Sequence, residues 1–136
     1  MKVFLASHGH MAGGMASSVE ILMGKQDKLT IFDAYIEGEN ETVEQHVEKF
    51  LSEAGENETK VLLSDLYGGS VNQAMMKYIR QPNTYLISGV TLSILMEILL
   101  RADELGREDL EEIIRGAREL TQLVTLDYDI KEDSFF

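Results

Sequence analysis

Apolar positions along the chain alternate between short runs and longer stretches with helical spacing. Residues 2–7, KVFLAS, form a run of the kind a buried strand shows, and the following GGMASSVEILMG sets Met15, Val19, Leu22 and Met23 at helical intervals. The unit recurs: LTIFDAY at 29–35 is β-branched and aromatic, and the next helix places Val43, Val47, Phe50 and Leu51 in one stripe before Gly55. KVLLSDL at 60–66 leads through YGGS to a helix over 71–82. TYLISG at 84–89 leads to a helix over 90–105, and REDLEEIIRGAREL at 107–120 makes a fifth. The single proline, Pro82, is placed to stop the third helix. TQLVTLDY at 121–128 reads either as a last strand or as a continuation of helix. Short strands alternating with crossover helices predict a doubly wound α/β fold with a mainly parallel sheet and helices on both faces. Residues 1–126 form one domain on this reading, followed by a charged tail, 127–136.

Composition removes several classes of function. Twelve Lys and Arg against 24 Asp and Glu give a formal charge of −12, which repels phosphodiester backbones and anionic lipid headgroups alike. Nucleic acid is therefore not an expected partner. No apolar run approaches the roughly 20 residues of a bilayer span, and MKVFLASHGH lacks the apolar core and cleavage site of a signal peptide. Cysteine is absent, so no disulfide and no thiolate nucleophile is available. The expectation is a soluble cytoplasmic domain.

In an open α/β sheet, ligands bind beyond the carboxyl ends of the strands, where the strand order reverses. Two strands here end in chemistry-bearing residues. Ser7-His8-Gly9-His10 follows the first, and Asp65-Leu66-Tyr67-Gly68-Gly69-Ser70 follows the third. With strand order 2-1-3-4 these ends are neighbours, so His8 and Asp65 meet across the switch point. A carboxylate that accepts the Nδ1–H of a neutral imidazole fixes the tautomer that leaves Nε2 as nucleophile. Gly68, Gly69 and the Ser70 hydroxyl then open the following helix start to an anion. Glycine also occurs in such turns simply to allow positive φ.

The same segments carry a resemblance. FLASHGHMAGGM resembles the active-site segment of the IIA components of the mannose/fructose/sorbose family of the bacterial phosphoenolpyruvate-dependent sugar phosphotransferase system, and LLSDLYGGSVNQA is similar to that family's Asp-x-x-Gly-Gly-Ser segment. LISGVTLSILMEIL and IEGEN at 36–40 fit in the same order, so the resemblance runs from residue 1 to about 126. It implies that His8 carries the phosphoryl group, that Asp65 orients it, and that Ser70 with the Gly9, Gly68 and Gly69 backbone lines the phosphate site. It further implies phosphoryl transfer from HPr to His8 and on to a IIB domain or subunit. Other implications are an indirect link to a IIC/IID membrane permease, no cofactor, and a homodimer whose segment 120–126 is exchanged as an edge strand. Two positions depart from the family pattern. Val71-Asn72 stands where a proline commonly follows the serine, and His10 stands where a bulky apolar or aromatic residue is usual.

Rival readings fit the residues less well. A histidine phosphatase needs an arginine clamp for its substrate, and Ser7 precedes His8 with no arginine in either loop. A receiver domain needs an acidic metal-binding pair after the first strand, where Ser7-His8 stands. A metal held by His8, His10 and Asp65 has no further ligand cluster to support it. A nucleotide- or flavin-binding module on a similar fold is the alternative from another class, although only Glu37 follows the second strand as a ribose-binding acid. His46, among Glu44, Glu48 and Lys49, reads as part of a solvated helix face; Met75, Met76 and Met96 read as core.

Overall fold

Strands and helices alternate through the structure, a computed structural model that describes residues 1–101 and 104–126. In chain order they are β1 (Lys2–His8), α1 (Met11–Met23), β2 (Leu29–Ala34), α2 (Val43–Glu53), β3 (Lys60–Ser64), α3 (Ser70–Met76), β4 (Thr84–Ser88), α4 (Leu92–Leu100) and α5 (Arg107–Arg118). All strand pairs are parallel and the order is β2-β1-β3-β4, as the sequence predicts. The reversal of strand order lies between β1 and β3, whose paired register ends at Ala6 opposite Ser64. Asp65 is thus the residue just past that register, and His8, two residues beyond Ala6, ends β1 still paired with Ala34 of β2.

Each strand of the centre is apolar on both sides because both sides are covered. Val3 and Leu5 of β1, with Val61 and Leu63 of β3, face Val19 of α1, Ile94, Leu95 and Ile98 of α4, and Leu110 and Ile113 of α5. The alternate residues Phe4, Ala6 and Leu62 face Val43, Val47 and Phe50 of α2 and Val71 and Met75 of α3. This period-two division explains why the central strands read as continuous apolar runs rather than as alternating ones. Thr42 starts α2 with a reciprocal cap. Its Oγ1 accepts from the Gln45 N–H at 3.1 Å, and Gln45 Oε1 accepts from the Thr42 N–H at 2.7 Å. No helix among the described residues is long and apolar enough to cross a membrane.

Several boundaries differ from the expected ones. α3 ends at Met76 rather than running to Pro82, because the chain tightens into turns with i to i−3 bonds, Tyr78 N–H to Met75 O and Gln81 N–H to Tyr78 O. Met75 is wholly buried while its neighbour Met76 is exposed, the consequence of two adjacent helical residues pointing about 100° apart. α4 stops at Leu100, short of residue 105. His46 is not on the solvated face: its ring stacks on Phe32 with centroids 3.9 Å apart, and Nε2 lies 2.6 Å from Glu41 Oε2. Its place three residues after Val43 puts it on the margin of the buried stripe. Residues 121–126 form neither helix nor strand in the single chain, and Leu123, Val124 and Leu126 are exposed. The tail, 127–136, lies outside the described residues.

Candidate active site at the carboxyl end of the sheet

β1 delivers His8 through a turn that its own sequence builds. Ser7 is fully buried, and its hydroxyl accepts the Ala12 N–H at 2.7 Å, so a residue of the strand caps the first turn of α1. Gly9 takes φ +61°, a left-handed conformation that costs glycine little, and its N–H donates to the Ala34 carbonyl at the end of β2 at 2.8 Å. The chain therefore leaves the sheet at His8 with its direction fixed on both sides.

Asp65 Oδ2 accepts two hydrogen bonds from the same residue, the His8 backbone N–H at 2.8 Å and ring Nδ1 at 2.8 Å. The carboxylate is largely buried, with 11% of its side chain exposed, while 44% of the His8 side chain faces solvent. Burial pushes the Asp65 pKa up, but the bonds from the His8 backbone and ring outweigh it and hold the carboxyl below its ordinary value of 3.8. Because an ionised carboxylate only accepts, Nδ1 carries the proton and Nε2 of the neutral ring keeps its lone pair. Nε2 points to Ser70 Oγ at 3.2 Å, the first residue of α3.

The loop after β3 has to pass close to that ring. Gly68 adopts φ +77°. At Gly69 a Cβ would stand 3.2 Å from the Leu66 carbonyl oxygen and 3.5 Å from His8 Cε1, so an alanine would crowd the Leu66 carbonyl and come into contact with the imidazole. The N–H groups of Gly9 and Gly69 donate to the carbonyls of Ala34 and Leu66 in this structure, which makes their visible contribution one of backbone shape. No proline follows Ser70, and Val71-Asn72 anchors the helix start by another means. Asn72 is buried, and its Oδ1 accepts from Ser64 Oγ at 2.9 Å and from Ser88 Oγ, tying α3 to the ends of β3 and β4.

The two histidines face different carboxylates. His10 is 81% exposed and its Nδ1 lies 3.2 Å from Asp33 Oδ2, while Asp33 Oδ1 accepts the Gly13 N–H at 2.8 Å. His8, His10 and Asp65 do not form a shared ligand set among the described residues; the group that does approach within ligand distance is Glu39 and Glu41 of the loop leading into α2 with His46 of its first turn. Sequence reasoning missed Tyr35. It takes φ +63°, its ring centroid is 5.3 Å from that of His8, and its hydroxyl is 2.9 Å from Ser70 Oγ. Left-handed backbone is rare for a bulky aromatic and costs about 1–3 kcal/mol. Its place directly after β2, on the same sheet edge as His8 and Asp65, was the signal available.

Comparison with known proteins accords with this arrangement. The EIIA-man profile, described as PTS system fructose IIA component, matches residues 2–114. The chain belongs to that family. Among solved structures similar to this EIIA-man chain is one from Klebsiella pneumoniae described as a phosphoenolpyruvate-dependent sugar phosphotransferase system permease. It is 31% identical over 90% of this chain and 89% of that one, with a TM-score of 0.79. The mannose/sorbose-specific IIA subunit from Enterococcus faecalis has the same fold at 23% identity and TM-score 0.80, over 93% and 96% of the two chains. A PTS IIA protein associated with the fucose utilization operon of Streptococcus pneumoniae is 25% identical with TM-score 0.70, over 87% and 88%. No curated protein matches the chain significantly. As an EIIA-man protein it is a component of a sugar phosphotransferase system with a role in phosphoryl transfer.

The depressed Asp65 pKa has a consequence for stability. A carboxyl whose folded pKa is below its unfolded one stabilises the fold above the unfolded value, and that contribution is lost as pH falls through the folded value. Replacing Asp65 by Asn should therefore lower the urea midpoint at neutral pH, with the gap to wild type narrowing as pH falls below about 5, through the ordinary carboxyl value and on through the depressed folded one. A gap that stays constant or widens on acidification would show that the carboxylate charge is not stabilised by His8.

Proposed function

We propose that this EIIA-man protein is a phosphocarrier in which His8 Nε2 accepts the phosphoryl group of phospho-HPr and passes it to the histidine of a IIB domain or subunit, serving sugar uptake by a IIC/IID permease. The observation that carries the reading is the 2.8 Å contact of Asp65 Oδ2 with His8 Nδ1, which reserves Nε2 for attack at a half-exposed position. In the transfer, the Nε2 lone pair forms a new N–P bond as the N–P bond of an N-protonated donor phosphohistidine breaks. The electron pair returns to the donor ring, which leaves as neutral imidazole. His8 then bears the phosphoryl group on Nε2 and a proton on Nδ1, and the positive ring faces the Asp65 carboxylate. Ser70 donates to the phosphoryl oxygens, and the Gly9, Gly68 and Gly69 backbone shapes the space for them. Asp65 orients and does not itself take the phosphate. No resident cofactor has a part in this scheme, and the strongly acidic chain remains a cytoplasmic protein without nucleic-acid partners.

Incubation with phosphoenolpyruvate, enzyme I and HPr should give acid-labile phosphate on the wild-type protein. His8→Ala should abolish it and His10→Ala should leave most of it. Label surviving in the His8 variant, or an acyl phosphate on Asp65, would contradict the assignment, and absence of label on wild type would favour a nucleotide- or flavin-binding module.

The same reading makes the protein a homodimer with exchanged edge strands. β4 pairs with β3 alone among the described residues, and a groove of about 310 Å³ follows it between α3 and α5, lined by Tyr85, Ile87, Met76, Leu110 and Ile114 among others. Segment 120–126, with exposed Leu120, Leu123, Val124 and Leu126, supplies strand-forming residues that find no cover within one chain. Adding that segment to the partner's β4 covers both liabilities symmetrically. Sedimentation should find the intact chain dimeric and a chain ending at Glu119 monomeric. A monomeric intact chain, or a truncated one that stays dimeric, would remove this joint.

A further inference from the structure

We infer that Tyr35 is a phosphoryl-binding residue of this site, its phenol acting beside Ser70 as a donor to the group carried by His8; this rests on the phosphocarrier reading above. The unphosphorylated site contains a chain of hydroxyls whose direction is set from one end. Asp65 can only accept, so His8 Nδ1 donates, and in the neutral ring that can attack phosphorus Nε2 is left to accept. Ser70 Oγ, 3.2 Å from Nε2, must then donate to it, and its remaining lone pairs accept from the Tyr35 hydroxyl at 2.9 Å. The order of donation is Tyr35 to Ser70 to His8 to Asp65.

Phosphorylation breaks that chain at one point. The Nε2 lone pair becomes the N–P bond, so the Ser70 hydrogen loses its acceptor, and three anionic oxygens arrive where the acceptor was. The Ser70 hydroxyl turns to them. The Tyr35 hydroxyl, one hydrogen-bond length beyond Ser70 Oγ, is the next donor on the same side, and a bond to an anionic oxygen is stronger than the one it makes to a neutral hydroxyl. The phenol ring is already beside the imidazole, with centroids 5.3 Å apart and planes at 49°, so the positive ring of phospho-His8 also meets an aromatic neighbour.

The backbone supports a role at this position. Tyr35 holds φ +63° while 64% exposed, so no burial of the ring accounts for placing a large side chain in a left-handed turn. The turn does aim the hydroxyl at the residue that touches Nε2. Ala34, the residue before it, is locked by the Gly9 N–H at 2.8 Å, which couples the end of β2 to the loop that carries His8.

The test is the equilibrium division of phosphate between HPr and this protein, with the hydrolysis rate of the isolated phosphoprotein, for wild type, Tyr35→Phe and Tyr35→Leu. Phe keeps the ring and backbone and removes only the hydroxyl; Leu removes both hydroxyl and ring. Loss of one charge-assisted bond in a partly exposed site should move the division roughly three- to tenfold toward HPr in both variants and speed hydrolysis. Division within twofold of wild type in Tyr35→Phe, or a shift in Leu that Phe fully restores, would overturn the role of the hydroxyl. Wild type that takes no phosphate from phospho-HPr would overturn the carrier reading and this inference together.

Discussion

One oxygen atom organises the site. Asp65 Oδ2 receives both the backbone N–H and the ring Nδ1 of His8, each at 2.8 Å, so the same acceptor fixes where the residue leaves the sheet and how its imidazole is turned. A single contact would leave the ring free to rotate about χ1 and χ2. Two contacts to one oxygen hold position and tautomer together, and the chemistry open to Nε2 follows from that. The cost is a largely buried carboxylate: the bonds from His8 satisfy Oδ2 and outweigh burial in keeping the group ionised, while Oδ1 is buried without a hydrogen-bond partner among the described residues.

The sheet makes that contact possible. β1 and β3 are adjacent and parallel although 57 residues separate His8 from Asp65, and their chains diverge at the point where the two side chains meet. α1 and α3 begin directly beyond, each pinned by a buried polar side chain from within the fold. Ser7 holds the Ala12 N–H, and Asn72 gathers Ser64 and Ser88. These buried groups are hydrogen-bonded, so they specify geometry without leaving an orphaned donor. The site therefore rests on the ends of β1, β2 and β3 and the start of α3 rather than on a free loop, which is the rigidity the proposed transfer requires.

Much of this was legible in the sequence because it depends on local pattern. Runs such as KVFLAS and KVLLS are too short and too apolar for surface strands, and their separation by helical stripes implies parallel pairing. From that topology alone His8 and Asp65 fall together. What was not legible depends on tertiary context. α3 stops at Met76 because turns take over well before Pro82, and nothing in MKYIRQP announces it. The stacking of His46 on Phe32 joins two elements across a layer, and charged neighbours in sequence hide it. Tyr35 is the clearest case: its left-handed backbone and its bond to Ser70, 35 residues on, are consequences of packing that no periodicity encodes. Asn72 likewise shows that a helix start can be anchored by side-chain bonds to two neighbouring strands.

The account depends on which ring nitrogen is free, and nitrogen chemistry reports it directly. Nitrogen-15 and phosphorus-31 NMR on uniformly labelled protein, before and after phosphorylation, reads the tautomer of His8 and the atom that bonds phosphorus. The account predicts a neutral His8 protonated at Nδ1 in the free protein and a phosphorus–nitrogen coupling to Nε2 afterwards. A proton on Nε2 in the free protein, or phosphorus bonded to Nδ1, would contradict the orienting role of Asp65 on which the rest is built.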